Sequence, residues 1–158
     1  RLFPEAWVWH KRRTDFRKFW RQVYNSGIAR INLYKKYPES LKLVHLLPMV
    51  FTVGIIGTLL LLFFGFLPYL LGTEHIFPVL GNAMAALGCI GLFFILLYIV
   101  ALVIDSTKQN QSLKIGILSI RAAFTQLMGY GCGFLSAWWK RCILGKSEFS
   151  AYNKTFYK

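Results

Sequence analysis

The sequence predicts a mainly α-helical membrane fold, opened by a short strand and an amphipathic helix. Three observations predict it. The chain of 158 residues is 56% hydrophobic, with a mean hydropathy of +0.46. Its charges are segregated: residues 44–104 hold no Lys or Arg, and Glu74 is the only acid among them. The net charge of +13 therefore sits at the two ends. A soluble domain of this size would be less apolar and would scatter its charges. An uncharged apolar middle between basic ends favours a lipid bilayer over nucleic acid as the partner, and no nucleic-acid-binding module is recognisable.

Residues 1–13 read as the end of a domain. Over 2–10, Val8 and Trp9 are strand formers, and Pro4 suits a strand start or an edge. The run begins abruptly in apolar sequence and has no secretory leader pattern. We therefore expect a larger domain cut short ahead of Arg1. A basic loop, His10-Lys11-Arg12-Arg13, follows.

Residues 14–43 read as an amphipathic helix and its connector. Thr14 or Asp15 can cap the helix by accepting a bond from a free backbone N–H. Over 15–37, Phe16, Phe19, Trp20, Val23, Tyr24, Gly27, Ile31 and Tyr34 recur at steps of three and four. Arg17, Lys18, Arg21, Gln22, Asn25, Arg30, Lys35 and Lys36 fill much of the remainder. Such a helix suits a membrane interface, with Phe16, Phe19 and Trp20 at headgroup level and Lys35 and Lys36 on lipid phosphate. A surface helix packed on a soluble core gives the same periodicity. Pro38 should end the helix.

Residues 44–104 read as a transmembrane hairpin. The first span, 46–67, has 22 residues; at about 1.5 Å rise each they reach roughly 33 Å, enough for the hydrocarbon core. Pro48 lies in its first turns and Pro68 just past its end. Residues 72–82 form a loop free of Lys and Arg, and 83–104 form the second span. Gly88 and Gly91, with Ala85 and Ala86, give that span a small-residue face for close packing. Basic residues flank the spans on the side away from the loop, so both basic ends are expected in the cytoplasm.

Residues 105–138 read as an amphipathic or re-entrant helix, with a third transmembrane helix as the alternative. Ser112 is placed to cap it. Lys114, Arg121 and Gln126 interrupt its apolar run, and a charge mid-span costs about 2.5–3.5 kcal/mol on insertion scales. Gly129, Gly131 and Gly133 are expected to break or bend it. Residues 139–158 form a basic cytoplasmic tail. Cys89, Cys132 and Cys142 lack metal-ligand spacing and read as free thiols.

No complete catalytic set is present in the sequence. The sharpest local signal is the basic front: His10, Arg13, Arg21, Gln22, Tyr24 and Arg30. Guanidinium groups bind pairs of phosphate oxygens, and a His at a strand end can ligate metal, so the set fits a diphosphate near a membrane. A solvated basic loop meeting acidic headgroups is the plainer reading.

Residues 1–48, RLFPEAWVWHKRRTDFRKFWRQVYNSGIARINLYKKYPESLKLVHLLP, resemble the C-terminal part of bacterial membrane-associated family 2 glycosyltransferases. The matching positions are His10, Arg21, Gln22, Gly27 and Arg30, then Leu46-Leu47-Pro48 where the first span begins. Tyr130-Gly131-Cys132-Gly133-Phe134-Leu135 resembles the tail of the same proteins. The resemblance implies that strand 2–10 is the last of a truncated α/β nucleotide-sugar-binding domain. It implies a divalent metal, Mg or Mn, bound mainly by residues ahead of Arg1, with His10 near the metal or diphosphate. It places Arg13, Arg21, Gln22, Tyr24 and Arg30 on the substrate side. Nucleotide-sugar donor and lipid-linked or membrane-proximal acceptor would be the partners, and the bacterial inner membrane the location. Processive members carry an Arg-Trp pair on this helix, which is lacking here, so transfer of single sugars is implied. The fragment alone should be inactive. The competing expectation is a non-catalytic membrane anchor or interaction subunit.

Overall fold

The structure, a computed structural model, describes residues 15–73, 75 and 78–147. Its order is α1 (Phe16–Lys36), two 3₁₀ turns (Pro38–Ser40 and Leu43–His45), α2 (Leu47–Leu70), α3 (Pro78–Asn110), α4 (Leu113–Trp138) and a π turn (Trp139–Ile143). The described residues are mainly helical and contain no strand; the strand expected over 2–10 falls outside them.

α1 matches its periodicity. Asp15 is the cap: its carboxylate accepts from Arg17 N–H at 2.9 Å. Tyr37 closes the other end, its N–H donating to the Leu33 carbonyl at 2.7 Å, and Pro38 opens the next turn.

α2 and α3 form an antiparallel hairpin in a regular register. Thr58 lies against Gly91, Leu62 against Gly88, and Gly65 against Ala85, so steps of four and three along α2 answer two steps of three back along α3. A Cβ on Gly88 would sit 2.8 Å from Leu62 N, closer than real side chains come. The small-residue face expected on the second span is thus the seam of the hairpin. The Tyr69 hydroxyl bonds to the Asn82 amide oxygen and fastens the far end.

Both helices are longer than expected. α2 runs through Pro68 to Leu70. Proline breaks a helix by removing one N–H and crowding a carbonyl one turn back. Position 68 thus gives up its bond to the Phe64 carbonyl, yet α2 continues two residues further, and the Pro68 carbonyl accepts from Thr73 N–H at 2.9 Å. Pro68 is therefore inside the helix, not beyond it. α3 likewise begins at Pro78, inside the expected loop, since a proline at the first helical position forfeits no bond.

α4 is one continuous helix, and its glycines neither break nor bend it into two. They are sites of close approach instead. A Cβ on Gly133 would sit 2.8 Å from Tyr24 C, and one on Gly131 2.5 Å from the Pro48 carbonyl oxygen. Ser112 occupies the N-cap position, but its side chain makes no capping bond. The turn from α3 is tight, with Gln111 in the left-handed region at φ 50°. There a non-glycine residue costs about 1–2 kcal/mol.

α4 touches all three other helices. It starts back along α3, with Gly116 against Thr107 and Val103. Phe124 then joins Phe51 of α2 (5.5 Å) and Tyr98 of α3 (6.3 Å) in a three-ring cluster. Next it crosses the start of α2, where the buried Thr52 hydroxyl donates to the Pro48 carbonyl (2.8 Å) and faces that of Leu127 (3.4 Å). These contacts sit at one end of the hairpin. From there α4 runs parallel to α1, and Ile28, Ile31, Phe134 and Ala137 make the core between them. Tyr24, Leu41, Leu46, Met49 and Tyr130 pack around it.

Candidate functional site at the basic end of the hairpin

The apolar stripe of α1 is turned onto α4. Gly27 has the Tyr130 and Gly133 backbone against it, and an added Cβ would lie 2.7 Å from Phe134 N. Val23 and Trp20 cover Gly129. The Arg121 guanidinium lies 4.3 Å over the Phe16 ring, which gives this charge an aromatic partner. Protein packing therefore accounts for the periodicity of α1 along this face. Phe16 and Phe19 are half-buried, while Trp20, Lys35 and Lys36 are exposed.

The side chains expected to meet substrate divide into groups. His10 and Arg13 lie outside the described residues. Arg21 and Gln22 are exposed neighbours on α1. Tyr24 is half-buried beside the α1–α4 core. Arg30 is nine residues beyond Arg21, about 13.5 Å along the axis and half a turn around it. The two guanidinium groups thus leave opposite flanks of α1 and do not converge. Arg30 instead comes within electrostatic reach of His45, together with Lys42. The Nδ1 of His45 accepts from Lys42 N–H at 3.0 Å, which closes the 3₁₀ turn before α2.

Two further features stand at this end. Arg141 Nη1 donates to Asn32 Oδ1 at 2.7 Å, a link of 109 residues in sequence, and the buried Arg141 Nε has no hydrogen-bond partner. A cavity of about 340 Å³ lies between α1, the connector, the start of α2 and the end of α4. Ile31, Leu41, Leu46, Met49, Phe134 and Trp138 line it, with Tyr34 at its wall. Sequence periodicity placed Ile31 on the apolar face of α1, and Phe134 entered only through the resemblance of residues 130–135. The cavity depends on how four segments meet, which periodicity does not carry.

The three cysteines are free thiols. Among the described residues no group of three or more His, Cys, Asp or Glu side chains is placed to hold a metal ion. The described residues therefore do not supply a divalent-metal site. The half-buried guanidinium groups of Arg30 and Arg141 and the exposed Lys42 ammonium stand at the same end as this apolar cavity, a combination that suits an amphiphile with a phosphate or hydroxyl head.

α2 and α3 are long and apolar enough to cross a membrane. Of their most apolar windows only 22% and 6% of residues are buried, whereas a soluble core helix would be mostly covered. Phe63, Phe66, Phe93, Phe94, Leu96 and Leu97 all face outward. Comparison with family models, with curated proteins and with solved structures finds no match.

Proposed function

We propose that this chain is the membrane end of a family 2 sugar transferase. The enzyme moves a sugar from a nucleotide-sugar donor to a lipid-linked or membrane-proximal acceptor, in surface polysaccharide or glycolipid assembly. One observation carries the reading. The two segments that resemble such enzymes, Arg21 to Arg30 and Tyr130 to Leu135, lie about a hundred residues apart in sequence. They nevertheless make a close helix contact, backbone on backbone at Gly27 and Gly133. A shared pattern in two distant stretches is expected where those stretches form one packing unit.

In this reading α2 and α3 cross the bacterial inner membrane, with the Lys- and Arg-rich ends in the cytoplasm. They hold the site near an acceptor confined to two dimensions, which raises its effective concentration. The nucleotide-sugar-binding domain, with Mg or Mn, precedes residue 1. Arg21 and Gln22 face that domain. The cavity beside Ile31 and Trp138 suits the apolar part of an acceptor, and Arg30, Lys42 and Arg141 supply cations near it.

The test uses the longer protein in native membranes, supplied with labelled nucleotide-sugars, with label counted in the lipid extract. Gln22→Ala should lower transfer at least about tenfold, the size expected for one lost polar contact to a reacting group, while the protein stays in the membrane fraction. Transfer at the parent rate removes Gln22 from the site. No transfer from any nucleotide-sugar by the parent protein leaves a non-catalytic membrane anchor as the function.

A further inference from the structure

Beyond the cavity wall and the Arg141–Asn32 bond, the end of α4 presents an exposed surface of its own. In the π turn, Leu144 N–H donates to the Trp139 carbonyl at 3.0 Å. A turn wound by bonds spanning five residues brings residues four and five apart onto one flank, so Trp138 and Trp139 share a side with Ile143 and Leu144. The four side chains form one apolar patch: Trp138 is 41% exposed, Trp139 56%, Ile143 51% and Leu144 52%. Lys140, Arg141 and Lys146 accompany it, and no acid occurs from Trp138 to Ser147.

The place of this patch says what covers it. Trp138 shares the walls of one cavity with Leu46 and Met49, at the start of α2. Leu43, Val44 and Leu47 beside them are exposed. The patch therefore stands beside the start of α2, at the level where the apolar surface of the hairpin begins. Indoles prefer this level because one edge is apolar and the N–H stays wet, and cations there meet lipid phosphate.

We propose that the π turn seats on an anionic bilayer surface, with Trp138 and Trp139 at headgroup level and Lys140, Arg141 and Lys146 on lipid phosphate. The proposal rests on α2 and α3 being membrane spans. The turn then pins α4 from outside the hairpin, and through Arg141 and Asn32 it also fixes the height of α1.

The test places the full chain in vesicles of phosphatidylcholine and phosphatidylglycerol containing lipids brominated at a shallow or a deep acyl position. In one version Trp7, Trp9, Trp20 and Trp138 are replaced by Phe, leaving Trp139 as the sole indole. Its emission should fall at least about twofold with the shallow quencher and less with the deep one. A companion with Phe63→Trp and Phe at the five native Trp positions should show the reverse order. In the otherwise native chain, Trp139→Phe alone should remove part of the shallow quenching, which guards against misfolding of the multiple variant. If the Phe63→Trp reporter is quenched and Trp139 is not, the anchor is wrong and the spans stand. Trp139 shielded from both bromine and aqueous iodide would mean a protein partner, and also overturns the anchor. If neither position is quenched, the spans fail and the anchor with them.

Discussion

Replacing Gly133 by alanine drives a methyl group into the backbone of α1. The new Cβ would lie 2.8 Å from Tyr24 C and 3.1 Å from its Cα, and backbone atoms cannot swing aside as a side chain can. Nearest of all is the Tyr24 carbonyl oxygen, and with non-bonded atoms resting about 3.5 Å apart α1 must withdraw by roughly 1 Å. A gap of that size forfeits about a quarter to a half of the contact energy it opens. Ile28, Ile31 and Phe134 are the large side chains buried between the helices. Each is worth about 1.5–3 kcal/mol, so their shared loss comes to about 2 kcal/mol. Alanine recovers about 1 kcal/mol through helix propensity. Gly133→Ala should therefore destabilise the α1–α4 contact by about 1 kcal/mol net. Gly57→Ala is the matched control. Nothing lies within 4 Å of a Cβ there, so it keeps the propensity gain without the clash. The two alanine variants should then differ by about 2 kcal/mol, roughly thirtyfold in the docking equilibrium. Denaturant titration in detergent micelles measures it on a background with Phe at Trp7, Trp9, Trp138 and Trp139, read by the emission of Trp20, which packs on Gly129. Gly133→Ala as stable as Gly57→Ala would refute the claim that these glycines are sites of contact.

Thr52→Val keeps the shape of a fully buried side chain and deletes the bond to the Pro48 carbonyl; it should cost about 1 kcal/mol in the same titration. Arg121→Gln removes the guanidinium over Phe16 and should weaken docking of the first turn of α1 by about 0.5–2 kcal/mol, seen as faster tryptic cleavage at Arg17 and Lys18. His75→Cys, at the end of the hairpin away from the basic residues, should react with an impermeant maleimide added outside intact cells. Labelling only from the cytoplasmic face would reverse the proposed orientation.

What was legible in the sequence was local. Asp15 before a run of steps of three and four, and Pro38 after it, fixed the bounds of α1 because capping and proline chemistry act within one turn. The apolar stretches of α2 and α3 were legible because a bilayer-length run free of charge has few other uses. Their ends were read short, since Pro68 and Pro78 look alike in sequence and only their position in the turn decides whether a bond is lost. Gly129, Gly131 and Gly133 were misread for a different reason. A glycine weakens a lone helix, and whether a neighbour fills the space it leaves depends on residues a hundred positions away. The site was the least legible part. Arg21, Gln22 and Arg30 sit close in sequence, yet the helical repeat sends the two arginines to opposite flanks. Arg141 meets Asn32 through the fold alone.

The pairing of Gly27 with Gly133 has a consequence for biosynthesis. α1 leaves the ribosome first and its partner surface leaves last, with the whole hairpin in between. At roughly 5–20 residues per second, the 106 residues separating the two glycines take about 5–20 s to emerge. During that delay Ile28 and Ile31 lack their cover from Phe134 and Ala137, and the nearest apolar phase is the bilayer receiving α2. The nascent helix is thus required to occupy a temporary berth and surrender it to α4, so docking is the closing event of maturation, and a defect in α4 strands α1 where it first settled.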